Sequence, residues 1–171
     1  MGNKYYQYYV EGETEKKLLS ILKTDFECII PGKVEKLNLV NTPLRKNRIA
    51  VLKKPTIVII VFDTDTGNSD LLDKNIAFLK KQRNISDIIC ISQVNNLEDE
   101  LTRSCQIKEV RELTGSKSNS DFKRDMIQQS NFGKKLIENG FNIEKFWNRP
   151  ATNGFAHITN EAIKVKLAKK F

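Results

Sequence analysis

The chain has 171 residues, with 29 Lys and Arg against 21 Asp and Glu, so its formal net charge is +8 at pH 7. Hydrophobic residues make up 39% of the chain, which is enough for one compact domain and excludes a disordered or fibrous protein. No stretch approaches the roughly 18 apolar residues of a membrane span, and the first residues do not resemble a signal peptide, so we expect a cytoplasmic protein without a membrane partner.

Strands and helices alternate in the first half of the chain. Residues 5–10 are aromatic and β-branched and predict a strand, and residues 14–23 then predict an amphipathic helix. Weaker patterns predict strands over 27–30 and 33–40, and a basic helix that starts at Thr42-Pro43 and runs to about residue 52.

The clearest element is the continuous apolar run at residues 56–62, which is typical of a strand buried on both faces. A helix over 69–83 and another short strand over 87–91 follow it. This alternation predicts an α/β fold with a mainly parallel sheet of about four strands flanked by helices.

Beyond residue 95 the pattern becomes mainly helical. The predicted helices are 97–104, 107–113, 121–128, 132–139, a short one at 143–147, and 161–170. We therefore expect residues 1–95 to form the α/β core and residues 96–171 to form a helical extension packed on the same domain.

Cysteine and histidine chemistry is poorly supported by the sequence. Cys28, Cys90 and Cys105 lie far apart, without the close spacing of a zinc site or a redox pair. His157 is the only histidine, so a histidine-based metal site or a Ser-His pair would depend on that single residue. If the protein is an enzyme, its reactive groups are expected to be carboxylates and lysines.

Two acidic clusters follow two of the predicted strands. The first contains Glu11 and Glu15 and opens the first helix, and the second contains Asp63 and Asp65 after the central strand. Ligands of open α/β sheets bind just beyond the carboxyl ends of the strands. If the two strands are neighbours, the four carboxylates share one crevice and need a hard cation such as Mg²⁺ or Mn²⁺ to offset their repulsion.

Each cluster also has a purely structural explanation, because acids complement a helix N-terminus and aspartates shape turns. Two common motifs are excluded. A calcium loop starting at Asp63 would require glycine and glutamate where the chain has Asn68 and Lys74. The stretch that begins at Gly115 lacks the earlier glycine of a phosphate-binding loop.

The order of these motifs resembles the Toprim domain of topoisomerases, bacterial primases, RNA-maturation nucleases and OLD-family nucleases. A strand precedes Glu-Gly-x-x-Glu at the start of a helix, and a second apolar strand ends in Asp-x-Asp. The resemblance covers residues 5–93 and implies a Toprim-like, Rossmann-like sheet. It places Glu11 and Glu15 at the first-motif acids and Asp63 and Asp65 at the Asp-x-Asp pair. Because the chain has both Glu11 and Glu15, its first motif is more similar to that of the nuclease branches of the family.

The resemblance implies a nuclease that uses Mg²⁺ or Mn²⁺ to hydrolyse phosphodiester bonds of DNA or RNA, with Glu11 and Asp63 at its catalytic centre. The chain also resembles compact stand-alone proteins of the RloB-like kind, and this resemblance implies a role in bacterial defence against phage. A separate ATPase or another defence-system subunit is then a candidate partner, alongside nucleic acid.

Three further residues are candidates for the site. Glu98, at the start of the helix after the last strand, is a candidate metal ligand, although the pattern favours a helix N-terminal charge as its explanation. Lys117 and Lys123 flank a Ser- and Asn-rich loop and are candidates for binding nucleic acid. Lys117 is also a candidate for stabilising the transition-state charge.

Two other functions remain open from the sequence. A phosphatase of the haloacid-dehalogenase type also uses a strand-terminal Asp-x-Asp, with the first aspartate as nucleophile, but this chain has Gly67 where that motif has Thr or Val. The other alternative is a non-catalytic Toprim subunit that binds nucleic acid or a partner.

Overall fold

The computed structural model describes residues 3–168, which contain one sheet of four strands. The strands are β1 (Tyr5–Val10), β2 (Lys33–Lys36), β3 (Thr56–Asp63) and β4 (Ile85–Gln93), in the spatial order β2-β1-β3-β4. All three neighbouring pairs are parallel. The predicted α/β fold with a parallel four-stranded sheet is confirmed, and the architecture is consistent with a Rossmann-like fold.

Helices cover both faces of the sheet. The described residues contain the α-helices α1 (Glu13–Ser20), α2 (Lys46–Ala50), α3 (Asp70–Lys80), α4 (Leu97–Ser104), α5 (Phe122–Gln128) and α6 (Phe132–Glu138). Helix α1 continues into a π-helical turn at Ile21–Asp25, and short 3₁₀ turns lie at Val110–Leu113, Asn119–Asp121, Asn153–Phe155 and Ala162–Lys164. None of the helices in residues 3–168 is long and apolar enough to cross a bilayer.

Strand β3 lies in the middle of the core, as its apolar sequence predicts. All eight of its residues are buried. Alternate side chains point to opposite faces of a strand, and Ile59 accordingly packs into one apolar cluster while Ile60 packs into the other. Apolar side chains from other elements therefore have to pack on both faces of β3.

The second half of the chain supplies much of that cover. Phe122, Phe132, Phe146 and Trp147 belong to the same buried cluster as Ile59. The helical part after residue 95 thus shares a hydrophobic core with the sheet.

The strand predicted at 27–30 is wrong. Glu27 has a φ of 48°, which breaks an extended strand, and Ile29 makes only an isolated antiparallel bridge to Lys166. The helix predicted at 161–170 is also wrong in its described part, where only Ala162–Lys164 forms a 3₁₀ turn. The remaining predicted residues, 169 and 170, lie outside the described residues.

Tertiary hydrogen bonds explain the second error. The Val165 carbonyl accepts from the Ile30 N–H at 2.9 Å, and the Leu167 N–H donates to the Cys28 carbonyl at 2.9 Å. These bonds hold the C-terminal segment against residues 27–30, so its backbone groups are not available for helical bonds.

Other predicted elements exist but are shorter. The predicted strand 33–40 is limited to β2, and the predicted helix 107–113 is reduced to the turn Val110–Leu113. The predicted helix from Thr42 is limited to α2, because Asn75 holds the preceding chain in another conformation: its side chain accepts from the Leu44 N–H and donates to the Leu39 and Thr42 carbonyls.

Candidate active site

The two acidic clusters meet at the carboxyl edge of the sheet. Strands β1 and β3 are neighbours, with Tyr9 paired to Ile60. Glu11 directly follows β1 and Asp63 is the last residue of β3, and the Asp63 backbone N–H acts to lower the pKa of the Glu11 carboxyl. The expectation that the acids following these strands share one edge therefore holds for Glu11 and Asp63.

Helix α1 adds a buried carboxylate to this edge. Glu15 lies in the first turn of α1, is only 2% exposed, and accepts a hydrogen bond from the Thr14 hydroxyl at 3.0 Å. Gly12 makes room for it, because a Cβ at that position would lie 2.9 Å from Glu15 Oε2. A side chain at position 12 would therefore displace the carboxylate.

The loop after β3 carries the exposed member of the group, Asp65. Its backbone N–H and that of Thr64 both donate to the Asn95 carbonyl, at 3.0 Å each. The loop is thereby fixed to the end of β4, and Asp65 stays close enough to raise the pKa of both Glu11 and Asp63.

Asp63 is the most strongly perturbed acid of the edge. It is only 6% exposed, and this burial raises its pKa to about 8, with the Glu11 carboxylate adding to the rise. A hydrogen bond from Gln93 opposes the rise, whereas Glu15 and Asp65 contribute further repulsion. Without a cation, the site therefore favours the protonated form of Asp63 at neutral pH.

Glu11 is affected by the same surroundings. Burial raises its pKa, and repulsion from Glu15 and Asp65 raises it further. The Asp63 N–H and the Lys123 ammonium partly offset this effect. The pKa values of Glu11 and Asp63 are thus raised first by burial and then by repulsion among the carboxylates, so the charged form of each acid is unfavourable at this edge.

Gln93 and Trp147 are linked to the acidic edge by hydrogen bonds, and the sequence did not predict either contact. Gln93 Nε2 donates to Asp63 Oδ1 at 2.6 Å, and Trp147 Nε1 donates to Gln93 Oε1 at 3.2 Å. Because an indole can only donate, it fixes the orientation of the Gln93 amide and directs its NH₂ group to Asp63. A polar residue at the end of the last strand was a usable signal for Gln93, but no local signal identified Trp147.

Glu98 contacts the acidic edge through a lysine. Its Oε1 lies 3.2 Å from Lys123 Nζ, while its buried Oε2 has no hydrogen-bond partner among residues 3–168. Burial alone would lower the pKa of Lys123, but the charges of Glu98, Glu15 and Asp63 raise it. The structure thus brings Lys123 to the acids.

The structure does not bring Lys117 to them. Its side chain is exposed and has no hydrogen bond or ion pair within the described part of the chain, and its carbonyl accepts from Arg111 Nη1 at 3.1 Å. His157 Nε2 contacts Asp73 at 2.9 Å and has no hydrogen bond to any of the four acids within the described residues.

The donor chemistry of the edge fits a hard divalent cation, since carboxylate oxygens are the ligands that Mg²⁺ and Mn²⁺ prefer. The side chains are not already gathered around one ion: in residues 3–168, no three Asp, Glu, His or Cys side chains form a group that could hold a metal. Glu15 and Asp63 are instead each hydrogen-bonded to a neighbour, Thr14 and Gln93.

The state of Asp63 predicts how the stability of the metal-free protein depends on pH. Its ordinary pKa is 3.8, and its pKa in the folded protein is about 8, so between these values the folded state holds a proton that the unfolded state has lost. The free energy of unfolding therefore falls as the pH rises through this window. We expect Asp63→Asn to flatten this fall and to stabilise the protein at pH 8 by about 2 kcal/mol or more.

Urea unfolding in EDTA, from about pH 5 to about pH 8, measures this difference. The amide oxygen of the variant keeps an acceptor for Gln93, so the comparison changes mainly the charge. Parallel pH profiles for the two proteins would show that Asp63 does not hold the proton.

In comparisons with known proteins, no protein-family model, curated protein or solved structure matches this chain, and the assignment of a function therefore rests on the site itself.

Proposed function

We propose that the protein is a metal-dependent phosphodiesterase that cleaves DNA or RNA at the carboxyl edge of its sheet. The observation that supports this most is the meeting of buried Glu15 and Asp63 with Glu11 at one edge, where burial and mutual repulsion raise the pKa of Glu11 and Asp63. Such an arrangement costs folding energy, and a divalent cation would relieve that cost.

Four residues would hold the cation: Glu11, Glu15, Asp63 and Asp65. When bound, Mg²⁺ or Mn²⁺ supplies a water of lowered pKa and stabilises the charge that develops on the phosphate oxygens. Gln93 holds the Asp63 carboxylate in place through its 2.6 Å hydrogen bond. Glu98 pairs with Lys123 through Oε1, and its buried Oε2, which has no hydrogen-bond partner among residues 3–168, would be the atom to supply a further ligand.

Lys123 is the cation best placed to meet a phosphate. Its ammonium interacts with Glu15 and Asp63 and is paired to Glu98, so a phosphate that enters the edge would encounter a positive charge beside the acids. The net charge of +8 favours a polyanionic substrate as well. Lys117, exposed on its loop, would contact only the more distant backbone of a long substrate.

The similarity of the motifs to Toprim nucleases extends this proposal to a role in defence against phage. In that role a separate ATPase or another subunit would control the activity.

Metal binding is the first test of the proposal. At about 100 times the Kd of Mn²⁺, ligation to the folded state alone stabilises a protein by about 2.7 kcal/mol, which in a chain of this length raises the melting temperature by about 5–10 °C. We expect this rise in the wild type at about pH 8 and its loss in Glu11→Gln. Differential scanning fluorimetry with and without Mn²⁺ measures both.

Asp70→Asn is the matched control, because Asp70 is an exposed acid on α3 outside the four-carboxylate group. It should respond to Mn²⁺ like the wild type. An equal response from all three proteins would place the ion elsewhere and contradict the site. Metal binding without cleavage of an oligonucleotide or of bis(p-nitrophenyl) phosphate would instead favour the non-catalytic subunit. Cleavage of p-nitrophenyl phosphate alone would favour the phosphatase.

A further inference from the structure

A separate cleft lies at the opposite edge of the sheet, where the strands begin. It has a volume of about 410 Å³ and is lined by the start of β1, the turn before β2 and the segment that precedes β3. Cavities of this size accommodate small ligands. Thr56 lines the cleft and Asp63 ends the same strand, so about 23 Å of extended chain separates the cleft from the acidic edge.

The charge of this cleft is opposite to that of the acidic edge. Lys4, Lys33 and Lys53 line it, and no carboxylate does so among the described residues. Tyr5 is 39% exposed at the cleft, and Lys53 Nζ lies 4.9 Å from the centroid of its ring. The Tyr5 ring thus has one ammonium group close to it, and two further lysines line the same cleft.

The remaining wall is apolar and well fixed. Val51 is 79% exposed. The Thr56 hydroxyl donates to the Lys53 carbonyl at 2.6 Å, and the Tyr5 N–H donates to the Pro55 carbonyl at 3.0 Å. Gly32 packs so closely on β1 that a Cβ there would lie 2.6 Å from the backbone oxygen of Tyr6. The cleft is therefore built from ordered backbone.

We propose that this cleft binds a short segment of single-stranded nucleic acid, with one base against Tyr5 and the neighbouring phosphates near Lys4, Lys33 and Lys53. The combination of features selects this ligand. A bare phosphate would not use the exposed ring or the apolar wall, and an uncharged aromatic molecule would not use three lysines. Surfaces that bind single strands combine aromatic stacking platforms with a positive groove in this way.

The test is direct binding in EDTA, so that its result does not depend on the metal site or on cleavage. Fluorescence anisotropy of a labelled oligothymidylate reports binding to the wild type, Tyr5→Ala, Tyr5→Phe and Lys53→Gln. Lys74→Gln is the matched control, since Lys74 is exposed on α3 and does not line the cleft. The melting temperature of each variant shows that it is folded.

We expect Tyr5→Ala to weaken binding by about 10-fold or more, which corresponds to the stacking of one base, and Tyr5→Phe to bind like the wild type. Three phosphate contacts predict a slope of about 2 for log Kd against log salt, and Lys53→Gln should lower that slope by about 0.7. The Kd and the salt slope of Lys74→Gln should both stay near those of the wild type.

Competition with AMP distinguishes two possible ligands of the cleft, a nucleic-acid strand and a free nucleotide, which share a base and a phosphate. Displacement of the oligonucleotide only by longer strands supports the strand, and displacement by AMP with the same dependence on Tyr5 assigns the cleft to free nucleotides. Equal binding by wild type and Tyr5→Ala, or equal losses in Lys53→Gln and Lys74→Gln, would overturn the proposal, because binding would then follow net charge alone.

Discussion

Replacing Asp63 with asparagine is expected to lower the rate of Mg²⁺-dependent oligonucleotide cleavage by about 10³-fold or more. The amide has nearly the same size and keeps an oxygen for Gln93, but it brings no negative charge to the cation. Loss of the several kcal/mol that a bound metal contributes to the transition state corresponds to this factor. Single-turnover cleavage of a labelled oligonucleotide measures the loss.

The same variant is expected to be more stable than the wild type in EDTA at pH 8, so unfolding cannot account for a loss of cleavage. Asp70→Asn makes the same chemical change at an exposed position and should cleave at the wild-type rate. Binding of the oligonucleotide in EDTA should also survive in Asp63→Asn. A rate within a few fold of the wild type would remove Asp63, and with it the acidic edge, from the catalytic centre.

Glu100→Ala is expected to destabilise the protein by about 3–5 kcal/mol, the range for removing one partner from a buried charged network. Glu100 is fully buried. Its Oε1 accepts from the Val94 N–H at 3.0 Å and from Arg103 Nη2 at 2.8 Å, and its Oε2 accepts from the Trp147 N–H at 3.0 Å. Truncation would leave the Val94 and Trp147 N–H groups buried without this acceptor, whereas Arg103 Nη2 would keep its hydrogen bond to the Val94 carbonyl.

Urea unfolding at a constant pH measures this effect, and Glu98→Ala on the same helix is its control. Glu98 is partly exposed and its ion pair to Lys123 lies near the surface, so that variant should lose at most about 1 kcal/mol. If Glu100→Ala unfolded at nearly the wild-type urea concentration, other groups would have to satisfy these donors. Glu100 would then not be the residue that holds the Trp147 segment on α4.

The sequence predicts this fold best where the pattern is local. The bounds of β1 and α4 agree with their predictions, and β3 differs by one residue, because continuous apolar runs and helical periodicity depend on neighbouring residues. The pairing of Glu11 with Asp63 could also be predicted, since parallel strands in one sheet end at the same edge.

Contacts between distant residues could not be predicted. The Gln93–Trp147 hydrogen bond joins positions 54 residues apart, and nothing near Trp147 in the sequence indicates it. Lys117 and Lys123 were both candidates for binding nucleic acid, and Lys117 was also the candidate for transition-state stabilisation, but the packing of α5 places Lys123 beside Glu98. The segment at 161–170 has a helical pattern, but its hydrogen bonds to residues 27–30 override that preference.

The contact from Trp147 through Gln93 to Asp63 has a consequence for how such a protein can evolve. Residues 3–95 contain all four strands of the described part of the chain and all four acids, and they resemble a unit that recombination could transfer to another protein. Without the indole, however, the Gln93 amide could rotate and turn its oxygen toward Asp63. A transferred strand segment would therefore carry the acids without the group that orients Gln93, so we expect the acids and the distant tryptophan to be inherited together.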